Sequence, residues 1–156
     1  MLTENIVLVS RVREVYDPFV SLFGGSRDDS GNADRERRLE FVLRYPPEEE
    51  YVEEADRSYP HPWQSRLMRE RHQYAWHWGR IRYFYEMLRS GEALDPIVLD
   101  NKCANGHVYP ILVLVDGHHR LCAADLAEAQ TIPVLYSGRV DLLKWLEGKR
   151  AKRPEE

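Results

Sequence analysis

The sequence predicts an α/β (α+β) fold on three observations. Residues 111–115 are an unbroken run of Ile, Leu and Val, the pattern of a strand buried on both faces. The run stops at the turn pair Asp116-Gly117, and LCAADLAEAQ, which follows shortly after, is rich in Ala and Leu and free of Gly and Pro, as a helix would be. Residues 131–135 then return as a β-branched strand. A length of 156 residues suits one compact domain.

The remaining elements follow in chain order. Residues 5–12 form an Ile/Val-rich strand candidate, and residues 15–23 continue apolar with a break at Asp17-Pro18. GGSRDDSGNADRE, residues 24–36, is polar and aperiodic and reads as a mobile loop. In LEFVLRY, Leu39, Phe41 and Leu43 alternate with Glu40, Val42 and Arg44, a strand with one solvated face. Paired with residues 5–12 it would complete an antiparallel N-terminal unit. Pro46-Pro47 ends that unit, and Glu48, Glu49, Glu50, Glu53, Glu54 and Asp56 follow, either as a solvated acidic linker or with one carboxylate folded back over a site. Residues 1–58 are thus an extension and linker, 59–150 the core, and 151–156 a tail.

Within the core, Leu67, Tyr74, Trp78, Ile81, Tyr85 and Leu88 recur at helical steps. Gly79 interrupts the pattern at a cost of about 1 kcal/mol relative to Ala, which calls for a close packing contact or a break. Arg69, His72, Trp76, His77, Arg80, Tyr83 and Met87 lie off that stripe. They read either as a face buried against the N-terminal unit or as a stacking surface for a base. Ser90-Gly91 stops the helix, residues 94–99 supply a strand, and residues 101–109 turn at Asn105-Gly106. After Ser137-Gly138, residues 140–146 form a short helix, with Val140, Leu143 and either Leu142 or Trp145 packing. Lys149, Arg150, Lys152 and Arg153 make a basic, frayed tail.

A net charge of −4 provides no overall positive field to recruit nucleic acid or an anionic membrane. No apolar run approaches 18 residues and the first residues do not resemble a signal segment, so the expectation is a cytoplasmic protein without a membrane partner. Cys103 and Cys122 are too few and too far apart for a CxxC motif.

Candidate chemistry gathers at the turn after residue 115. His118, His119 and Arg120 open the helix, where unpaired N–H groups and the positive end of the macrodipole favour an anion. Gly117 lacks a Cβ and so lets a phosphate near the backbone, and Arg120 carries a planar fork for its oxygens. Asp116 reads as a base or Mg²⁺ ligand, or simply as the N-cap, and the histidines as phosphate donors or proton shuttles. Adjacent histidines point apart on a helix, which disfavours a transition-metal site. Upstream, YPHPWQSR presents Gln64 and Arg66 from a proline-stiffened segment, with donors suited to phosphate or a base edge.

Asp116-Gly117-His118-His119-Arg120, followed by Ala123-Ala124 and Thr131-Ile132-Pro133-Val134, resembles the core of the ParB/sulfiredoxin superfamily, and the resemblance extends over residues 59–137. It implies a small mixed sheet with helices, and a Gly-x-x-Arg turn holding nucleotide phosphates. Pro60, Pro62, Gln64 and Arg66 match the stretch that precedes the first helix of ParB-type domains, with His61 where Asn is usual. The DGHHR form resembles free-serine kinases, although Pro62 stands where those carry a glutamate base; the related DGQHR form occurs in NTP-hydrolysing proteins acting on modified DNA. His118 occupies the place of the sulfiredoxin cysteine, which argues against that reductase activity. The resemblance therefore implies an enzyme that binds ATP, ADP or CTP with Mg²⁺ and hydrolyses the nucleotide or passes a phosphoryl group to a small acceptor. Gly117, His118, His119, Arg120, Gln64 and Arg66 would hold phosphates; Asp116, His118 and His119 would carry the chemistry. The alternatives are a DNA-binding protein or nuclease gripping backbone phosphate, and a non-catalytic nucleotide-binding module.

Overall fold

The computed structural model describes residues 2–23, 33–49 and 73–155. Their order is β1 (Thr3–Leu8), α1 (Val9–Val15), α2 (Pro18–Phe23), α3 (Arg35–Arg44), α4 (Gln73–Arg89), β2 (Ile97–Ala104), β3 (His107–Asp116), α5 (His118–Leu126), β4 (Thr131–Tyr136) and α6 (Val140–Leu146). The fold is α+β. Its four strands form one mixed sheet in the order β1-β4-β2-β3. β1 runs antiparallel to β4, β2 and β4 are parallel, and β2 and β3 form an antiparallel hairpin. The hairpin turns at Asn105-Gly106, whose φ values of 52° and 76° are those a tight two-residue turn requires.

α5 lies at the centre of the packing. All its residues except Arg120 and Asp125 are buried, because Leu121 and Ala124 face the sheet while Cys122, Ala123 and Leu126 face a second cluster built from α2, α3 and α4. Its small residues allow contact on both sides. In the second cluster Trp78 stacks between Phe23 (4.5 Å) and Phe41 (5.3 Å).

The N-terminal region departs from expectation. Residues 39–44 belong to helix α3, and β1 pairs with β4 rather than with that segment. A seven-residue apolar pattern cannot by itself separate helix from strand. The deciding residue is Asp34, within the stretch read as a loop, whose carboxylate accepts from the Arg37 N–H and caps the helix. The strand expected over residues 5–12 ends at Leu8, and the next residues coil into α1, burying Val9 and Val12. At the break, Asp17 Oδ1 accepts from the N–H of Phe19 (3.0 Å) and Val20 (3.3 Å), with Pro18 in the first position of α2. Residues 24–32 of the expected mobile loop and residues 50–58 of the acidic linker fall outside the described residues, as does the YPHPWQSR segment.

Gly79 is explained by packing. The carbonyl of Pro46 and the side chain of Glu48 lie where its Cβ would be, at 2.7 and 2.5 Å. The Gly79 carbonyl also accepts from the Glu48 N–H. In α6, Leu142, Trp145 and Leu146 are buried and Val140 is exposed, contrary to the expected packing of Val140. Nor is the basic tail frayed: Pro154 is buried, and the Arg153 guanidinium lies over Trp145.

β3 is an edge strand buried on one face only, not on both. Leu112 and Leu114 enter the core, while Ile111, Val113 and Val115 are exposed. Leu114→Ala is accordingly expected to cost about 2–5 kcal/mol. Val113→Thr should change stability by no more than about 0.5 kcal/mol when the two variants are compared by urea unfolding.

Candidate functional site

The start of α5 borders a cavity of about 420 Å³ lined by Arg80, Phe84, Asp95, Asp116, Gly117, His118, His119 and Arg120. Sequence reasoning placed five of these at the site. It missed Phe84 and Asp95, and it assigned Arg80 to a helix face instead. The Leu121 N–H makes the first helical bond, to the Gly117 carbonyl, so the N–H groups of His118, His119 and Arg120 precede the helical ladder. Gln64 and Arg66 lie outside the described residues.

Arg120 is turned onto the backbone that leads into β2. Nη1 donates to the carbonyls of Asp95 (3.0 Å) and Pro96 (2.7 Å), and Nη2 meets Asp116 Oδ2 at 3.2 Å. The guanidinium thus ties the start of β2 to the end of β3 while still bordering the cavity. Asp116 is well exposed, 69% at its side chain, and sits on the rim rather than at the end of a buried strand. It is not the helix cap. That position belongs to Gly117, with φ 101° and no side-chain cap bond.

Gly117 also differs in the reason for its identity. Its Cβ position is filled by Ile97, whose Cγ2 would lie 2.4 Å away. Sheet packing and a left-handed φ demand the glycine there, not the approach of a phosphate.

The two imidazoles point apart, as neighbours on a helix must. Tyr16 holds His118, and the Tyr16 hydroxyl lies 3.2 Å from Nε2. His119 turns to α4, where Nε2 meets His77 Nδ1 at 2.9 Å. Trp76 packs edge-on against His119 and Phe23 edge-on against His77. Burial lowers the His119 pKa well below the usual histidine value, and nearby His77, Arg80, His118 and Arg120 lower it further. His77 is pushed down to about 3, by burial first and by His118 second. Both rings are therefore neutral at pH 7, and a single N–H joins them.

Arg80 is buried. Nη1 donates to the carbonyls of Glu48 and Glu49, and the guanidinium lies 4.8 Å over the Phe84 ring. Trp76 and His77 are buried with it, which takes these three side chains out of the stacking surface considered above. His77, Arg80 and Tyr16 could have been tied to the site only through tertiary structure. The available sequence signal was a helix face too rich in Arg, His and Trp for ordinary solvated surface.

Asp95 and Asp116 bring two carboxylates to the lining of the cavity, oxygen donors of the kind Mg²⁺ takes. Among the described residues no three His, Cys, Asp or Glu side chains form a metal site. Among them, too, no helix is long and apolar enough to cross a membrane. No protein-family model, curated protein or solved structure matches the chain.

Proposed function

We propose that this cavity takes the phosphates of a nucleotide, ATP, ADP or CTP with Mg²⁺, and that the protein hydrolyses a nucleoside triphosphate or transfers a phosphoryl group from it to a small acceptor. One observation carries the reading: Arg80, Arg120, His118, His119 and the N-terminus of a buried helix border one cavity of about 420 Å³, a volume suited to a small ligand. The resemblance of the DGHHR stretch to the ParB/sulfiredoxin superfamily supports the same reading.

Phosphoryl transfer asks mainly for positioning and for positive charge on the phosphate oxygens. In this reading the N–H groups at the start of α5 and the Arg80 and Arg120 guanidiniums meet the phosphates. His119, neutral and braced by His77, serves as a hydrogen-bond partner rather than a charge. Asp116 would hold Mg²⁺ from the rim together with the phosphates; when bound, the ion supplies further positive charge to them. The acceptor proton leaves to Asp116 or His118.

Thermal shift with ATP, ADP and CTP, each with and without Mg²⁺, followed by phosphate release, tests the reading. A nucleotide at one hundred times its Kd should stabilise the protein by about 2.7 kcal/mol, which raises Tm by roughly 5–10 °C at this chain length. Arg120→Ala should weaken binding about 10–100-fold through loss of a charge-assisted bond. Stabilisation by none of the three nucleotides would remove the basis of the proposal.

A further inference from the structure

Among the described residues the sheet is covered on one face only. α1, α5 and α6 pack through Val12, Leu121 and Leu142 against inward residues such as Leu99 and Val134, and α2, α3 and α4 build the second cluster on the other side of α5. The opposite face carries apolar side chains where a solvated sheet face would alternate to polar ones. Residues paired across strands share a face, so the pairs Ile6–Pro133, Val98–Leu135 and Asp100–Val113 extend it over all four strands. Ile6 is 55% exposed, Ile111 46%, Val113 38% and Val115 49%. The inner pair, β2 and β4, is parallel, a pairing that proteins cover on both sides. A contiguous apolar surface of this kind marks a docking site.

We infer that this face docks on the same face of a second copy of the chain, so that two sheets pack as a sandwich about a two-fold axis. The footprint fits. Four strands about 4.8 Å apart, rising about 3.3 Å per residue over the six residues of β1 or β4, present roughly 350 Å² per copy before side-chain relief. With that relief, two such faces approach the lower end of specific interfaces, about 1,000–1,200 Å² in total. The charges fit as well. The paired positions above hold no basic side chain that would call for nucleic acid or an anionic lipid surface, and Asp100 Oδ1 is turned back to accept from the Asn101 N–H at 2.7 Å. The chain's own course also favours a second copy. Phe23 ends α2, Asp34 caps α3, the Glu49 carbonyl accepts from Arg80 of α4 and Gln73 begins α4, so the connections between them start and finish on the far side of α5 from this face.

Sedimentation equilibrium of the full-length protein tests this over about 1–500 µM. The wild type should pass from monomer to dimer with a Kd of roughly 10–100 µM, as suits an interface of that size. Val113→Lys and Ile6→Lys, on opposite edge strands, should each weaken the dimer about tenfold or more by setting an unpaired charge in an apolar contact. Circular dichroism checks that each variant is folded, and either serves if the other is not. Val140→Lys, at an apolar position that is 64% exposed but lies on α6, should dimerise as the wild type does. A wild type that stays monomeric would overturn the inference. Broadening of the Ile111, Val113 and Val115 methyl signals by a soluble nitroxide would then distinguish a face left for another partner from one covered by the chain itself. Undiminished dimerisation of a folded Val113→Lys or Ile6→Lys variant would place the contact elsewhere and overturn it too, as would loss of the dimer when NaCl rises from about 0.1 to 0.5 M, the mark of an ionic contact. None of these outcomes depends on nucleotide.

Discussion

Gly117→Ala is expected to destabilise the protein by about 2–5 kcal/mol, combining the strain of a left-handed backbone with that of an overpacked core. At φ 101° an alanine is strained whatever the space, and here there is none, since its Cβ would lie 2.4 Å from Ile97 Cγ2 and 2.8 Å from Ile97 Cβ. Ile97 is fully buried in the central strand β2 and cannot swing aside without moving the sheet. Gly106 provides the control, because its φ of 76° is also left-handed but no atom lies within 4 Å of its Cβ position. Gly106→Ala should therefore show only the backbone penalty, about 1–2 kcal/mol. Equal losses for the two variants in urea unfolding, at constant m, would mean that Ile97 does not dictate the glycine.

The buried His77–His119 pair predicts a second large effect, acid sensitivity above the range where carboxylates titrate. Both pKa values are lower in the folded protein than the ordinary 6.5. Below about pH 6.5 the unfolded chain takes up protons that the folded chain refuses, so stability is complete above that pH and falls as the pH drops towards about 3, where His77 titrates. Each imidazole contributes a slope of about 1.4 kcal/mol per pH unit across the window. His77→Gln removes one titrating ring, so the slope between pH 6.5 and 5 should become shallower by about that amount, whatever the variant's absolute stability. An identical slope in variant and wild type would show that His77 is protonated in the native state.

The parts of the fold legible in the sequence are those where local chemistry and tertiary structure agree. The α+β class, the turn at Asn105-Gly106, the stop at Ser90-Gly91 and the helix at residues 140–146 all rest on turn formers or on a helical period. The N-terminal region was misread because Leu39, Phe41 and Leu43 alternate by accident of composition; Asp34, which decides the matter, lies in a polar stretch without periodicity. The exposed face of β3 was hidden for a different reason. Val and Ile are favoured in an edge strand whether or not their outward face is covered, so the run at 111–115 could not report its neighbours.

At the site, the DGHHR turn was legible as a strand-to-helix junction. Its partners were not. Arg80 and His77 reach it from α4, Tyr16 from the end of α1 and Asp95 from the segment before β2, and each contact spans at least 20 residues of chain. The charge state of His119 was equally invisible, since it follows from burial against Trp76 and His77 rather than from the adjacent residues.

Backbone amide shifts during titration with ADP and Mg²⁺ report where a phosphate sits without requiring turnover. Saturable shifts are expected at Gly117, His118, His119 and Arg120, the residues that open α5 beside the cavity. Amides there that stay fixed at millimolar nucleotide, while others move or none does, would contradict a phosphate site at this helix start.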